Sequence, residues 1–150
     1  MTGGDGLEVQ VNLGSFSEVA ATVLERAVRV SFAAEGKDRG EVSLTLMDDE
    51  GIRRLNREYL GRDHVTDVIA FSLGSDEFVV GDVYIGFQQA ERQAAEWGVS
   101  NLEEVVRLAV HGALHVLGHD HPEGMERTES PMFRAQEALV SRIMEAGPEA

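Results

Sequence analysis

The 150-residue chain contains no cysteine, so neither a disulfide framework nor a thiolate metal site is open to it, and the absence is compatible with a reducing compartment. Positive charge is scarce: 13 Lys and Arg against 27 Asp and Glu give a formal net charge of −14. That balance favours solubility and opposes non-specific binding to a polyanion, so contact with nucleic acid needs a local exception. Aromatic residues are 6% of the chain and form no cluster along it, so no stacking platform is expected and base specificity should be weak. No apolar run approaches the roughly eighteen residues that span a bilayer, and the opening MTGGDG lacks the basic and apolar blocks of a signal peptide. A soluble cytoplasmic protein without membrane contact is the expectation. What the chain does have is 43% hydrophobic content and neither repeat nor internal linker, enough for residues 1–150 to form one domain with its own core.

Strand and helix patterns are mixed. LEVQVNL at 7–13 alternates as a strand does, and Ser15 or Ser17 is placed to cap a helix with apolar Val19, Val23, Ala27 and Val30. EVSLTLM at 41–47 reads as a second strand, followed by Asp48 and Asp49 as caps of a short helix to about Tyr59 and a polar loop GRDHVTD. TDVIAFSL and VVGDVYIG flank the turn-rich GSDE and predict a hairpin, with Gly81 as a bulge. A helix from Phe87 to Trp97 should end at Gly98, with Trp97 in the core or at its boundary. Ser100 to Glu103 forms a capping box for the next helix, and Ser130 with Pro131 caps a last one reaching about Met144 through Met132, Leu139, Val140 and Ile143.

The chemistry is concentrated in HGALHVLGHDH, eleven residues that hold four of the five histidines. Histidines four apart lie about 40° apart around a helix and about 6 Å along it, so His111 and His115 can grip one ion from consecutive turns. A third ligand must come from beyond the helix, and Gly118 can take the left-handed turn that swings His121 back. His119 would replace His121 only if the helix ran on through Gly118, which glycine makes costly. Three imidazoles leave a position open on zinc, as in a catalytic site. A helical wheel sets the apolar stripe of Leu102, Val105, Val106, Ala109, Ala113 and Val116 opposite the two histidines. Leu108 and Leu114 flank the histidine face, and Glu104 projects to that side as a solvated residue.

Zinc held this way lowers the pKa of water and polarises carbonyl or phosphoryl oxygens, so hydrolysis is the natural class. The wider frame HxxxHxxGxxH is shared with zinc peptidases of the metzincin type, but those carry a glutamate base directly after the first histidine, where this chain has Gly112. Positive charge gathers at Arg53, Arg54, Arg57 and Arg62, which can meet a phosphate backbone or simply form a solvated helix face.

HGALHVLGHDH together with LNREYLGRDHVTDVIAF at 55–71 and GDVYIG at 81–86, in that order, closely resembles the YbeY family of ribosomal-RNA maturation factors. The resemblance implies an α+β fold, a small mixed sheet of about four strands packed against several helices with the metal-binding helix next to the sheet, distantly like zinc proteases. It also implies a metal-dependent endoribonuclease acting on single-stranded RNA, with one zinc ion per chain, a role in 16S 3′-end maturation and ribosome quality control, and the ribosome and its assembly factors as partners, with no DNA expected. His111, His115 and His121 match the family's metal ligands, and Thr66 and Asp67 its strand start. Many members carry arginine where this chain has Leu60, a departure that shifts the phosphate-contacting catalytic role to Arg62. Two rival classes are a metallopeptidase, which needs a carboxylate near the ion, and a non-catalytic ribosome-assembly module whose acidic surface contacts basic ribosomal proteins.

Overall fold

The computed structural model describes residues 6–119 and 130–146. The readings that fall on His121, on the chain break at Pro122 and Gly124, and on the tail from residue 147 lie outside the described residues. In chain order the elements are β1 (Leu7–Asn12), α1 (Ala21–Ala34), β2 (Gly40–Met47), α2 (Asp49–Leu60), β3 (Val68–Gly74), β4 (Val79–Gly86), α3 (Phe87–Trp97), α4 (Asn101–Val116) and α5 (Pro131–Ala146). The four strands form one sheet in the order β1-β2-β4-β3. β1, β2 and β4 run parallel, and β3 joins antiparallel to β4 as the outer arm of the expected hairpin. This is the α+β architecture with a small mixed sheet that the resemblance implies.

Alternation along the strands decides which face is covered. Val42, Leu44 and Leu46 of β2 and Val83 and Ile85 of β4 are buried on one face, in a core shared with Leu24, Val28 and Phe32 of α1 and Val106, Val110 and Leu114 of α4. Polar Glu8, Gln10, Glu41 and Asp82 fall on the alternate positions of their strands and so on the other face.

Several caps follow local chemistry as expected. The Asp48 carboxylate accepts from the Gly51 N–H at 2.8 Å, Ser100 Oγ from Glu103 N–H at 3.0 Å and Ser130 Oγ from Phe133 N–H at 3.0 Å. α1 is the exception. It begins after Ala20 with no side-chain cap, and neither Ser15 nor Ser17 caps it. The preceding segment is turned by Phe16 N–H to Leu13 O and Val19 N–H to Phe16 O, while the Phe16 ring lies 4.7 Å from that of Phe87. Both serines lie within these turns around the Phe16 anchor, short of the helix start at Ala21.

The hairpin is regular at Gly81, which pairs with Val42 on one side and Ser72 on the other, so the expected bulge is absent. The glycine serves close approach instead. A Cβ there would stand 2.4 Å from Val116 Cγ1, and one on Gly112 would stand 2.4 Å from Val83 Cγ1. These two glycines, one on β4 and one on α4, let the helix lie directly on the strand. Trp97 is 70% exposed and is neither core nor boundary, because it ends α3 just before the left-handed Gly98.

α4 is the central helix. It packs against β3 and β4 on one side and α1, α3 and α5 on the others. Consequently Glu104 and His111, set opposite the apolar stripe by the wheel, are buried as well. Glu104, expected in solvent, is 3% exposed.

Candidate metal centre

His111 and His115 come from consecutive turns of α4, and their Nε2 atoms stand 3.0 Å apart with the rings at 72°. Two nitrogens each about 2.0–2.1 Å from one zinc ion at a tetrahedral angle are separated by about 3.3 Å. The pair therefore fits a shared cation. His111 is 7% exposed, and burial by the apolar helices keeps competing water from its ring.

α4 stops where the sequence predicts. The N–H of Gly118 donates to His115 O and that of His119 to Leu114 O, closing a Schellman turn with Gly118 at φ +101°. His119 does not extend the ridge of His111 and His115: its Nε2 lies 3.0 Å from Glu35 Oε1 at the end of α1. His121, the expected third ligand, lies outside the described residues. Among the described residues, no third His, Cys, Asp or Glu side chain completes a metal-holding group.

Behind His111 stands a residue the sequence reading passed over. Nδ1 of His111 donates to Gln136 Oε1 at 2.6 Å, and Gln136 on α5 is 2% exposed. Its Nε2 donates to Glu137 Oε2 at 2.9 Å. Glu137 is gripped by Arg107, with Nε to Oε2 at 2.8 Å and Nη2 to Oε1 at 3.0 Å. Arg107 also donates to Glu103 at 2.8 Å and Glu104 at 2.9 Å, and Glu104 accepts from Gln93 Nε2 at 2.8 Å. The Glu137 carboxylate foremost, with Glu103 and Glu104, holds the Arg107 guanidinium well above its ordinary pKa. One sequence signal does exist: Gln136 interrupts the apolar positions Met132, Leu139, Val140 and Ile143 of α5 with a buried polar group.

Arg62 sits on the exposed loop after α2. Buried Asn56 shapes this loop through Nδ2 to His64 O at 3.0 Å. Arg53 and Arg57 are drawn to Asp63 at 2.8 and 3.7 Å, and Arg54 to Glu50 at 3.7 Å. The hydrogen bond from Arg53 holds the Asp63 carboxyl below its ordinary pKa. Among the described residues the Arg62 side chain has no hydrogen-bond or ion-pair partner, and none joins it to His111 or His115. Leu60, where arginine is common in the resembling family, is 49% exposed. Asp67 contributes a backbone contact, its carbonyl accepting from Gly86 N–H at 2.8 Å.

The fold gathers aromatic rings that are scattered in sequence. Tyr59 meets Phe71 edge-on at 5.7 Å between centroids, and Phe71 meets Tyr84 at 6.1 Å. Tyr59 is 66% exposed, so the expectation that no aromatics cluster holds along the chain and fails in space. A cavity of about 480 Å3 opens among α3, α4 and α5 over the Arg107 cluster, lined by Trp97, Glu104, Arg107, Gln136 and Glu137, with neither histidine in its wall. No helix among the described residues is long and apolar enough to cross a membrane.

A solution structure of TM1509 from Thermotoga maritima shares the fold, with a TM-score of 0.63 at 23% identity over 96% of this chain and 95% of that one. The Endoribonuclease YbeY of Pelotomaculum thermopropionicum is 42% identical over 84% of this chain and 88% of its own length. That of Aquifex aeolicus is 43% identical over 78% and 79%. The profile of the family described as Endoribonuclease YbeY matches residues 7–144, and the chain belongs to that family.

Proposed function

We propose that this protein is an endoribonuclease, cleaving single-stranded RNA with one zinc ion held by His111, His115 and His121. The observation that supports it most directly is the convergence of two Nε2 atoms, 3.0 Å apart, on a buried helix whose rear imidazole nitrogen is anchored. When bound, such an ion polarises phosphoryl oxygens and lowers the pKa of water. The chain's own residues supply the rest. Gln136 orients His111, α4 and α5 keep bulk water from the ring, and Arg62, exposed on the loop after α2, is the residue assigned to the charge that develops on phosphorus. The exposed Tyr59 ring, close to Arg57 in sequence, offers a base-tolerant contact for an unpaired strand. A duplex resists bending an in-line phosphate against one ion, which accounts for the single-strand preference.

The physiological reading is maturation of the 16S 3′ end and ribosome quality control in the cytoplasm, with the chain acting as one domain alongside the ribosome and its assembly factors. It rests on membership of a family described as endoribonuclease. The peptidase alternative loses ground on geometry, since the position that would hold its glutamate is Gly112, pressed against Val83.

The test is cleavage of a single-stranded RNA spanning the 3′ precursor junction, by metal-loaded wild type and by folded His115→Ala prepared in parallel. Cleavage by the wild type alone supports the proposal. Equal cleavage by both exposes a contaminant and removes the evidence for this site. No cleavage by either, with ribosomal subunits added, favours the non-catalytic assembly module.

A further inference from the structure

We propose that Gln136 is a positioning residue that fixes the tautomer of His111, and that Glu137 and Arg107 fix Gln136 in turn. The inference rests on the reading of His111 as a metal ligand and assigns the group that makes it one. A glutamine amide presents an acceptor at one end and a donor at the other, and which end faces an imidazole decides where the ring carries its proton. Here Oε1 faces His111 Nδ1 at 2.6 Å. An amide oxygen cannot donate, so Nδ1 bears the hydrogen. In the neutral ring the lone pair then falls on Nε2, the atom that faces His115 Nε2 at 3.0 Å.

The orientation of the amide is itself determined. Gln136 Nε2 donates to Glu137 Oε2 at 2.9 Å, and a carboxylate only accepts. Turning the amide over would set oxygen against oxygen there and NH2 against Nδ1–H at the ring. Glu137 cannot swing away, because two guanidinium nitrogens of Arg107 hold both its oxygens at 2.8 and 3.0 Å. Arg107 is anchored in its turn by Glu103 and by Glu104, which is 3% exposed. At 2% exposure Gln136 leaves little room for water to replace either partner. The chain from α4 through Arg107 to α5 and back to His111 thus sets a proton at Nδ1 and leaves the lone pair on Nε2.

The opposite tautomer would aim an N–H at the position of the ion, and binding would first have to move that proton. Removing a partner of this kind from a histidine ligand lowers metal affinity by roughly 10–100-fold. Gln136→Leu removes the acceptor at similar volume, Gln136→Glu keeps an acceptor, and Glu137→Leu leaves the amide free to turn. Zinc affinity is read by competition with a chromogenic chelator, and the His111 tautomer of the metal-free protein by long-range 1H–15N correlation above the histidine titration range. Circular dichroism and thermal melts confirm folding.

The expected result is a loss of about 10–100-fold in zinc affinity for Gln136→Leu, a smaller loss for Glu137→Leu and for Gln136→Glu, which keeps the acceptor for Nδ1 but sets a second carboxylate against Glu137, and a shift of His111 away from the Nδ1–H form in the two leucine variants. A folded Gln136→Leu that binds zinc like the wild type and keeps its Nδ1–H form overturns the proposal. If the wild type binds no zinc, the metal reading falls on its own account, and the metal-free spectra still decide whether Gln136 sets the tautomer.

Discussion

Gly112 lies against Val83 so closely that a Cβ added to it would stand 2.4 Å from Val83 Cγ1. The residue that follows the first histidine therefore faces the sheet. A glutamate at that position would bury its carboxylate against β4, which is why the peptidase frame cannot be completed here by substitution.

Gly112→Ala sets two effects against each other. Alanine gains about 1 kcal/mol of helix propensity over glycine, while overpacking a core costs about 1–3 kcal/mol. Val83 is 0% exposed and cannot move aside, so overpacking wins. Urea denaturation should show a net loss of about 1–2 kcal/mol, with a larger loss for Gly112→Leu. An alanine variant as stable as the wild type would mean that α4 lifts freely from the strand.

The loop carrying Arg62 yields a contrast between two variants. Arg62→Ala removes an exposed side chain and should leave the melting temperature within a degree or two, yet lower RNA cleavage by about 100-fold. Asn56→Ala removes a buried donor to His64 O and should cost about 1–2 kcal/mol of stability, with any loss of cleavage following from a displaced loop. Single-turnover cleavage and thermal melts separate the two. Unchanged cleavage by Arg62→Ala would remove Arg62 from the catalytic reading.

The parts legible in sequence are those set by near neighbours. Asp48, Ser100 and Ser130 cap helices because a side-chain oxygen reaches N–H groups three residues on. His111 and His115 meet because helical geometry carries one turn to the next, and Gly118 ends α4 because only its backbone accepts the φ required. What stayed hidden depends on contacts across the fold. A wheel shows one apolar face and no second layer, so it sent Glu104 to solvent although α3 and α5 close over it. Gln136 reaches His111 from 25 residues away, and Tyr59, Phe71 and Tyr84 meet only once β3 pairs with β4 beside α2.

The Arg107 cluster should tolerate loss of an anion better than loss of its cation. Arg107→Met would leave Glu104, with 4% of its side chain exposed, buried beside Glu103 and Glu137 without a counter-ion. Breaking such a pair from one side costs about 3–5 kcal/mol. Because the Arg107 side chain is 20% exposed, the lower end of that range is expected. Glu104→Gln keeps an acceptor for Arg107, which retains Glu103 and Glu137, and should cost about 1 kcal/mol. Chemical denaturation of both variants checks the order, and a Glu104→Gln cost equal to that of Arg107→Met would show that the buried carboxylate is the essential member.

Tyr84 gives the pH prediction. Its phenol is raised above the ordinary value of 10.0, first by burial and then by the negative charge of Asp82 and the neighbouring Tyr59. For an acid raised in this way the folded state holds a proton that the unfolded chain releases, so the contribution is full below the ordinary tyrosine value and is lost as pH rises through the folded one. Few other groups obscure the effect, since Lys37 is the single lysine and Tyr59 the only other tyrosine. Wild type should therefore lose melting temperature more steeply than Tyr84→Phe as pH rises above about 10. The phenylalanine cannot ionise but keeps the ring that meets Phe71. Parallel curves for the two proteins would show that the Tyr84 hydroxyl is already solvated in the folded state and that the outer face of the sheet is more open at Tyr84 than its packing against Phe71 implies.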